Sequence, residues 1–285
     1  MEKGRNKYPD YRMEDFREYL LERENAPATI EKYLRDVKTF LAFSGKKREI
    51  TKEGLIGYKQ WLMEHYAVSS ANSMLAALNQ YLVFVGEGRL RLKRIPVQRM
   101  DIRYMERMLK KEEFQRMVRA ARKMEREDIA MIMETLCATG LRVSELKCVR
   151  VENLKNGLVK VWNKGKCRLV ILPAILKKKL LVYVSRRKIR SGIIFCTRSG
   201  KAKDRSNIWR EMKKAADAAG VSSQKVFPHN LRHLFARTFY KETKNLINLA
   251  DILGHSSLET TRIYASDGLE EWKKNIEKIR LLPAT

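Results

Sequence analysis

Acidic side chains are scarce in this chain. Only 33 Asp and Glu stand against 60 Lys and Arg, a formal surplus of +27 over 285 residues. So lopsided a balance points to a polyanionic partner, nucleic acid before an anionic membrane surface. Long apolar runs are missing as well. No stretch approaches the roughly 20 residues of a membrane span, and the opening MEKGRNKYPDYRMEDF has no apolar core. The expectation is therefore a cytoplasmic protein with no membrane helix and no cleaved signal peptide. Cysteine is rare: Cys137, Cys148, Cys167 and Cys196 are scattered, without a CxxC pair or zinc-ribbon spacing. They read as small, mostly buried thiols rather than a disulfide frame or a metal site. No GxxxxGK[ST] loop occurs, so nothing points to ATP. What remains is 44% apolar, enough for a folded core and too much for wholesale disorder.

The positive charge is unevenly spread. Residues 1–100 carry 19 basic and 13 acidic side chains, whereas residues 151–200 carry 13 basic ones and a single acid, Glu152. Solvated surfaces normally mix signs, so the second stretch reads as a phosphate-facing surface.

Periodicity sorts the chain into two domains and a linker. Apolar positions at helical spacing predict four short helices, over 13–24, 27–44, 51–66 and 69–85, the last ended by Gly86-Glu87-Gly88. They make a helical first domain, residues 1–88. The stretch Arg89–Arg103 is basic, carries Pro96 and lacks an apolar stripe, so residues 89–109 are assigned to a linker. Residues 110–285 form the second domain. It opens with helical patterns over 111–123 and 126–138, then turns to β-type segments, 158–162 and 167–172, joined by Asn163-Lys164-Gly165-Lys166. Helices dominate again after Pro173, with Ile193–Cys196 as a candidate third strand. The predicted class is mainly α with a small antiparallel sheet: a helical N-terminal domain and an α+β second domain.

Three of the four histidines fall between 229 and 255. His229 and His233 stand four apart on a predicted helix that follows Pro228, with Arg232 on the same face. The spacing resembles the zinc pattern H-E-x-x-H, but Asn230 replaces its carboxylate and Arg232 would repel a cation. A helix N-terminus bearing His229 and Arg232 also suits a phosphate, and helix-capping histidines are a third alternative. Upstream, ATGLRVSEL puts Arg142 directly after a glycine break; downstream, LGHSSLETTRIY carries His255 and, nine residues on, Tyr264.

In this order and spacing, TGLRVSEL, a lysine-tipped hairpin, HNLRH and LGHSSLETTRIY resemble the tyrosine recombinase (phage-integrase-like) family, and within it the Xer branch. The resemblance covers residues 110–270 and extends loosely to the N-terminal helices, which look like the family's core-binding domain. It implies a catalytic set of Arg142, Lys164, His229, Arg232, His255 and the nucleophile Tyr264. Glu145 would buttress Arg142, and His233 would be structural. The hairpin departs from the family's common GKGNKER by one residue; Lys164 is preferred to Lys166 because its Lys-Gly pair matches and sits at the turn. Implied partners are double-stranded DNA carrying a specific site and further copies of the chain, as a tetramer on two DNA sites. No cofactor and no metal are implied. A C-terminal stripe of Leu269, Trp272, Ile276 and Ile279 is expected to form an amphipathic helix that docks on a neighbouring protomer or packs on its own domain.

The chemistry fits the residue types. A covalent nucleophile stores the phosphodiester bond as a phosphotyrosine ester. Two guanidiniums clamp the non-bridging oxygens where charge builds, and His255 is expected as a third donor. His229 serves as base, and a lysine of lowered pKa protonates the departing 5′-oxygen. The expected function is site-specific recombination, with chromosome dimer resolution as its task. Alternatives are a type IB topoisomerase-like relaxation, integration or excision of a mobile element, and a non-enzymatic architectural role.

Overall fold

The structure, a computed structural model, describes residues 13–45, 50–96, 108–163, 166–255, 257–262 and 264. It divides into two compact units, residues 1–100 and 101–285.

Among its described residues the first unit holds four α-helices: α1 (Met13–Glu22), α2 (Pro27–Ser44), α3 (Lys52–His65) and α4 (Val68–Phe84). Local chemistry sets their limits. Pro27 opens α2 with a fixed φ, Gly45 closes it at φ 58°, and the Thr51 side chain caps α3 by accepting from the Gly54 amide. The apolar stripes meet in one core around Phe16, Leu34, Phe40, Tyr58, Leu75 and Tyr81. Past α4 the chain does not leave. Leu92 and Ile95, within the stretch expected to be linker, are buried in that same core. Two asparagines of α4 hold this extended strap by its backbone. Asn72 donates to the Ile95 carbonyl and accepts from its amide, and Asn79 does the same for Leu92. Lys52 and Lys59 add bonds to the carbonyls of Leu90, Arg91 and Lys93.

Among the described residues the second unit opens with α5 (Lys111–Lys123) and α6 (Glu127–Thr139), followed by a 3₁₀ turn (Val143–Cys148) and the short α7 (Asn153–Asn156). Strands β1 (Leu158–Asn163) and β2 (Lys166–Ile171) pair antiparallel, with Leu158 opposite Ile171 and Trp162 opposite Cys167. Alternation does the rest: Val159, Val161 and Val170 face the core, while Trp162, Leu169 and Ile171 face out. Then come α8 (Ala174–Arg186), α9 (Arg205–Ala218), α10 (Pro228–Thr243), α11 (Leu246–Leu253) and α12 (Glu259–Arg262). Among the described residues no helix is long and apolar enough to cross a membrane.

Two expectations need correction. Ile193–Cys196 is not a third strand: Ile193 bridges Arg150 and Cys196 bridges Ala202, one residue each. Its backbone is shared between two different loops, so no continuous ladder forms, although Ile194 and Phe195 are buried. The cysteines are not mostly buried either. Cys167 lies on the outer face of β2 and is exposed; the other three are half-buried.

Candidate active site

Three chain segments meet where helices end. Helix α6 stops at Gly140, whose φ of +64° gives the left-handed cap. Two residues later Arg142 begins the 3₁₀ turn, and the Glu145 side chain folds back to accept from the Arg142 amide at 2.8 Å. Helix α11 stops in the same way at Gly254, φ +64°, and delivers His255. The first turns of α10 supply His229, Arg232 and His233.

Arg232 is the centre of the arrangement. It is fully buried, at 0% exposure, and among the described residues it bonds no carboxylate. Instead Nη1 donates to the Gly140 carbonyl at 2.5 Å and Nη2 to the Leu253 carbonyl at 2.6 Å. Both carbonyls belong to helix C-termini, the negative ends of the helix dipoles. Its Nε has no partner among the described residues. Burial, reinforced by Arg142 and Arg168, pulls this guanidinium down to about 10, still charged at neutral pH.

Nη2 of Arg232 also reaches Nε2 of His255 at 3.1 Å. An arginine only donates, so Nε2 is an acceptor and the ring proton sits on Nδ1, bonded to the buried Thr261 hydroxyl at 2.8 Å. Both nitrogens of His255 are therefore occupied, and the expected third phosphate donor is instead an acceptor from Arg232 in this state. Burial and the neighbouring arginines lower His255 to about 4. Burial likewise lowers His233 to about 3, with help from His229 and Arg232, and depresses His229 below its usual value. All three imidazoles are neutral at pH 7.

Tyr264 is buried against Ala236, Leu249 and Leu253. Its ring lies 5.2 Å from that of His233 and stacks on His255 at 6.2 Å. The His229 ring follows, edge-on to His233 at 4.5 Å. Burial raises the Tyr264 hydroxyl above its usual value, against the pull of Arg232 and Arg142. Positive surroundings alone do not ionise it, so attack requires a base. Among the described residues Glu145 is the one carboxylate in the cluster. Burial would raise it, but a two-point fork from Arg168 and the bonds from Arg142 hold it at about 2. With the histidines neutral, three guanidiniums and one carboxylate leave a surplus of two positive charges. Such a surplus matches a phosphate gaining charge in a transition state.

Five of the six expected catalytic residues, Arg142, His229, Arg232, His255 and Tyr264, thus lie in one cluster. Lys164 lies outside the described residues, as does the side chain of Lys166, so the choice between them is not addressed; the stripe Leu269, Trp272, Ile276 and Ile279 lies outside them too. Arg168 and Thr261 were not assigned from sequence. Arg168 had a signal, since it stands opposite the core-facing Val161 in an alternating strand, where a charge demands a buried partner. Among the described residues no group of three or more His, Cys, Asp or Glu could hold a metal ion.

Residues 107–270 match the phage integrase family, and residues 13–87 match the phage integrase N-terminal SAM-like domain. Tyrosine recombinase XerA of Thermococcus kodakarensis is 29% identical over 286 residues, spanning 96% of this chain and 97% of its own. Tyrosine recombinase XerA of Pyrococcus furiosus is 31% identical over 228 residues, 76% of each chain. In fold, the chain is similar to the XerH site-specific recombinase in a post-cleavage complex with a palindromic difH substrate. The TM-score is 0.73 at 19% identity, covering 93% of this chain and 84% of the other.

Proposed function

The chain belongs to the phage integrase family, and from that premise we propose that it is a site-specific DNA recombinase of Xer type. The observation that carries the proposal is the buried cluster in which Tyr264 stacks on His255 while Arg232 bonds that same histidine. The hydroxyl of Tyr264 attacks a DNA phosphorus, a bond forms from its oxygen to phosphorus, and the bond to the 5′-oxygen breaks. His229, neutral and next to the arginines, takes the tyrosine proton. Arg142 and Arg232 stabilise the charge on the non-bridging oxygens. Lys164 gives the 5′-oxygen its proton. The product is a 3′-phosphotyrosyl ester and a free 5′-hydroxyl, which a second strand attacks to reverse the step. The reaction draws on no cofactor, since the ester itself conserves the bond.

The substrate is a duplex bearing a specific site, recombined by four copies on two sites, in the cytoplasm, with resolution of chromosome dimers as the task. Residues 1–88 and 110–285 act as two DNA-binding bodies, with the part of 89–109 that carries Leu92 and Ile95 packed on the first of them.

A duplex nicked beside the scissile phosphate tests this directly. The wild-type chain should become covalently linked to DNA on a denaturing gel. Tyr264→Phe should bind the duplex with unchanged affinity and trap none. Trapping by the Phe variant would mean that a different residue is the nucleophile.

A further inference from the structure

We propose that Arg168 is a positioning residue for this cleavage reaction, setting Arg142 by occupying Glu145; the proposal rests on the reaction described above. Arg168 enters on the inward phase of β2 and its side chain is 11% exposed. Each of its three nitrogens already donates to protein. Nη1 bonds Oε1 of Glu145 at 2.8 Å, Nη2 bonds Oε2 at 2.6 Å, and Nε bonds the Ile252 carbonyl at 3.2 Å. It is built to hold a carboxylate, and its effect on a phosphate runs through that carboxylate.

Glu145 is filled by four bonds. Besides the two from Arg168, its oxygens accept from the Arg142 amide at 2.8 Å and from Arg142 Nη1 at 3.0 Å. Arg142 therefore gives up one nitrogen and stays partly open to solvent, with 29% of its side chain exposed. Without Arg168 the buried carboxylate would have one cation left. The Arg142 guanidinium would close on it as a two-point fork, the geometry it otherwise offers to a phosphate. Arg168 occupies the fork first and cancels the carboxylate charge, and so leaves Arg142 free.

The path of this side chain is itself shaped by an absence. A Cβ on Gly254 would fall 2.7 Å from Cδ of Arg168 and 3.4 Å from its Nε. The glycine before His255 thus admits the guanidinium that ties β2, the Arg142 turn and the end of α11 together.

Epistasis tests the assignment. Single-turnover trapping on the nicked duplex, at saturating DNA, is compared for Arg168→Met, Glu145→Gln and the double variant. Wild-type trapping is the control: its absence would sink the recombinase reaction itself, whereas the outcomes below concern Arg168 alone. Arg168→Met should cleave about tenfold more slowly or worse while its DNA affinity stays within about twofold. In the Glu145→Gln background, where no carboxylate can be stranded, the same change should cost about twofold or less. A substrate with sulfur at the 5′-bridging position, which leaves without a proton, should not restore Arg168→Met. Three results would overturn the proposal. One is cleavage by Arg168→Met near the wild-type rate. Another is an equal loss in both backgrounds. The third is rescue by the bridging sulfur, which would place the effect on the leaving group. If Arg168→Met does not fold, the double variant carries no stranded charge and is compared with Glu145→Gln alone: equal rates support the assignment, and a further loss of about tenfold overturns it.

Discussion

Gly140→Ala puts the Arg232 seat under the most direct strain. Gly140 adopts φ +64°, and a Cβ there would fall 2.6 and 2.9 Å from two ring carbons of Phe235 and 3.0 Å from Cδ2 of Leu253. A side chain in the left-handed region costs roughly 1–2 kcal/mol, and forcing a methyl into a packed site adds about 1–3 kcal/mol. Leu253 is fully buried and cannot swing aside. A total of about 2–5 kcal/mol corresponds to a melting temperature lower by roughly 5–15 °C, for a unit of this size. The same change reaches the chemistry, because the Gly140 carbonyl holds Nη1 of Arg232 and Leu253 supplies the second carbonyl. Thermal unfolding gives the first number, and trapping of a nicked duplex, at a temperature where the variant is fully folded, gives the second. Cleavage should be slowed at that temperature with DNA affinity retained. A variant that melts within about 2 °C of wild type and traps DNA at full rate would show that neither the left-handed cap nor the crowding is real.

Three further outcomes are expected. Asn72→Ala should cost about 1–3 kcal/mol, because it strands the buried amide and carbonyl of Ile95; hydrogen exchange should become faster at Ile95 and stay unchanged in α9, and equal protection would refute the clasp. His229 should give cleavage an acid limb below the ordinary histidine value, since its pKa is depressed and the base is lost only once it protonates; a limb above pH ~6.5 would exclude it as the base. Stability should fall over the same range, because His233 and His255 resist protonation in the fold at about 3 and 4 while the unfolded chain takes up those protons below ~6.5. A melting temperature that is flat from pH 7 to 4 would contradict those values.

The residues proposed to do the chemistry were legible because their spacing is local. TGLR, HNLRH and LGH each place one side chain at a helix end, and the structure gathers Arg142, Arg232 and His255 accordingly. The helices of the first unit followed from apolar stripes, and the hairpin from alternation. Contacts made across long sequence separations were not legible. Arg232 finds its carbonyl 92 residues away, and nothing in HNLRH announces that its counter-charge is a pair of helix ends rather than an acid. The strap escaped for a related reason. Leu92 and Ile95 are too sparse to make a stripe, and what holds them is side chain to backbone, from asparagines 13 and 23 residues earlier. The outward cysteine was misjudged on composition, since thiols are usually buried, whereas strand phase put Cys167 opposite the exposed Trp162.

The seat of Arg232 bears on direction. Strand exchange runs the same transesterification forwards and backwards, so a site that favoured one side would stall. A carboxylate partner would swing toward the arginine whenever the phosphate left, and the two anions would compete at every turn. Backbone carbonyls at two helix ends cannot rotate away, take up a proton or change places with substrate. In the proposed reaction the guanidinium would therefore stand in one position whether the phosphorus is joined to a sugar or to Tyr264, and the balance between cut and sealed DNA would be left to the strands themselves.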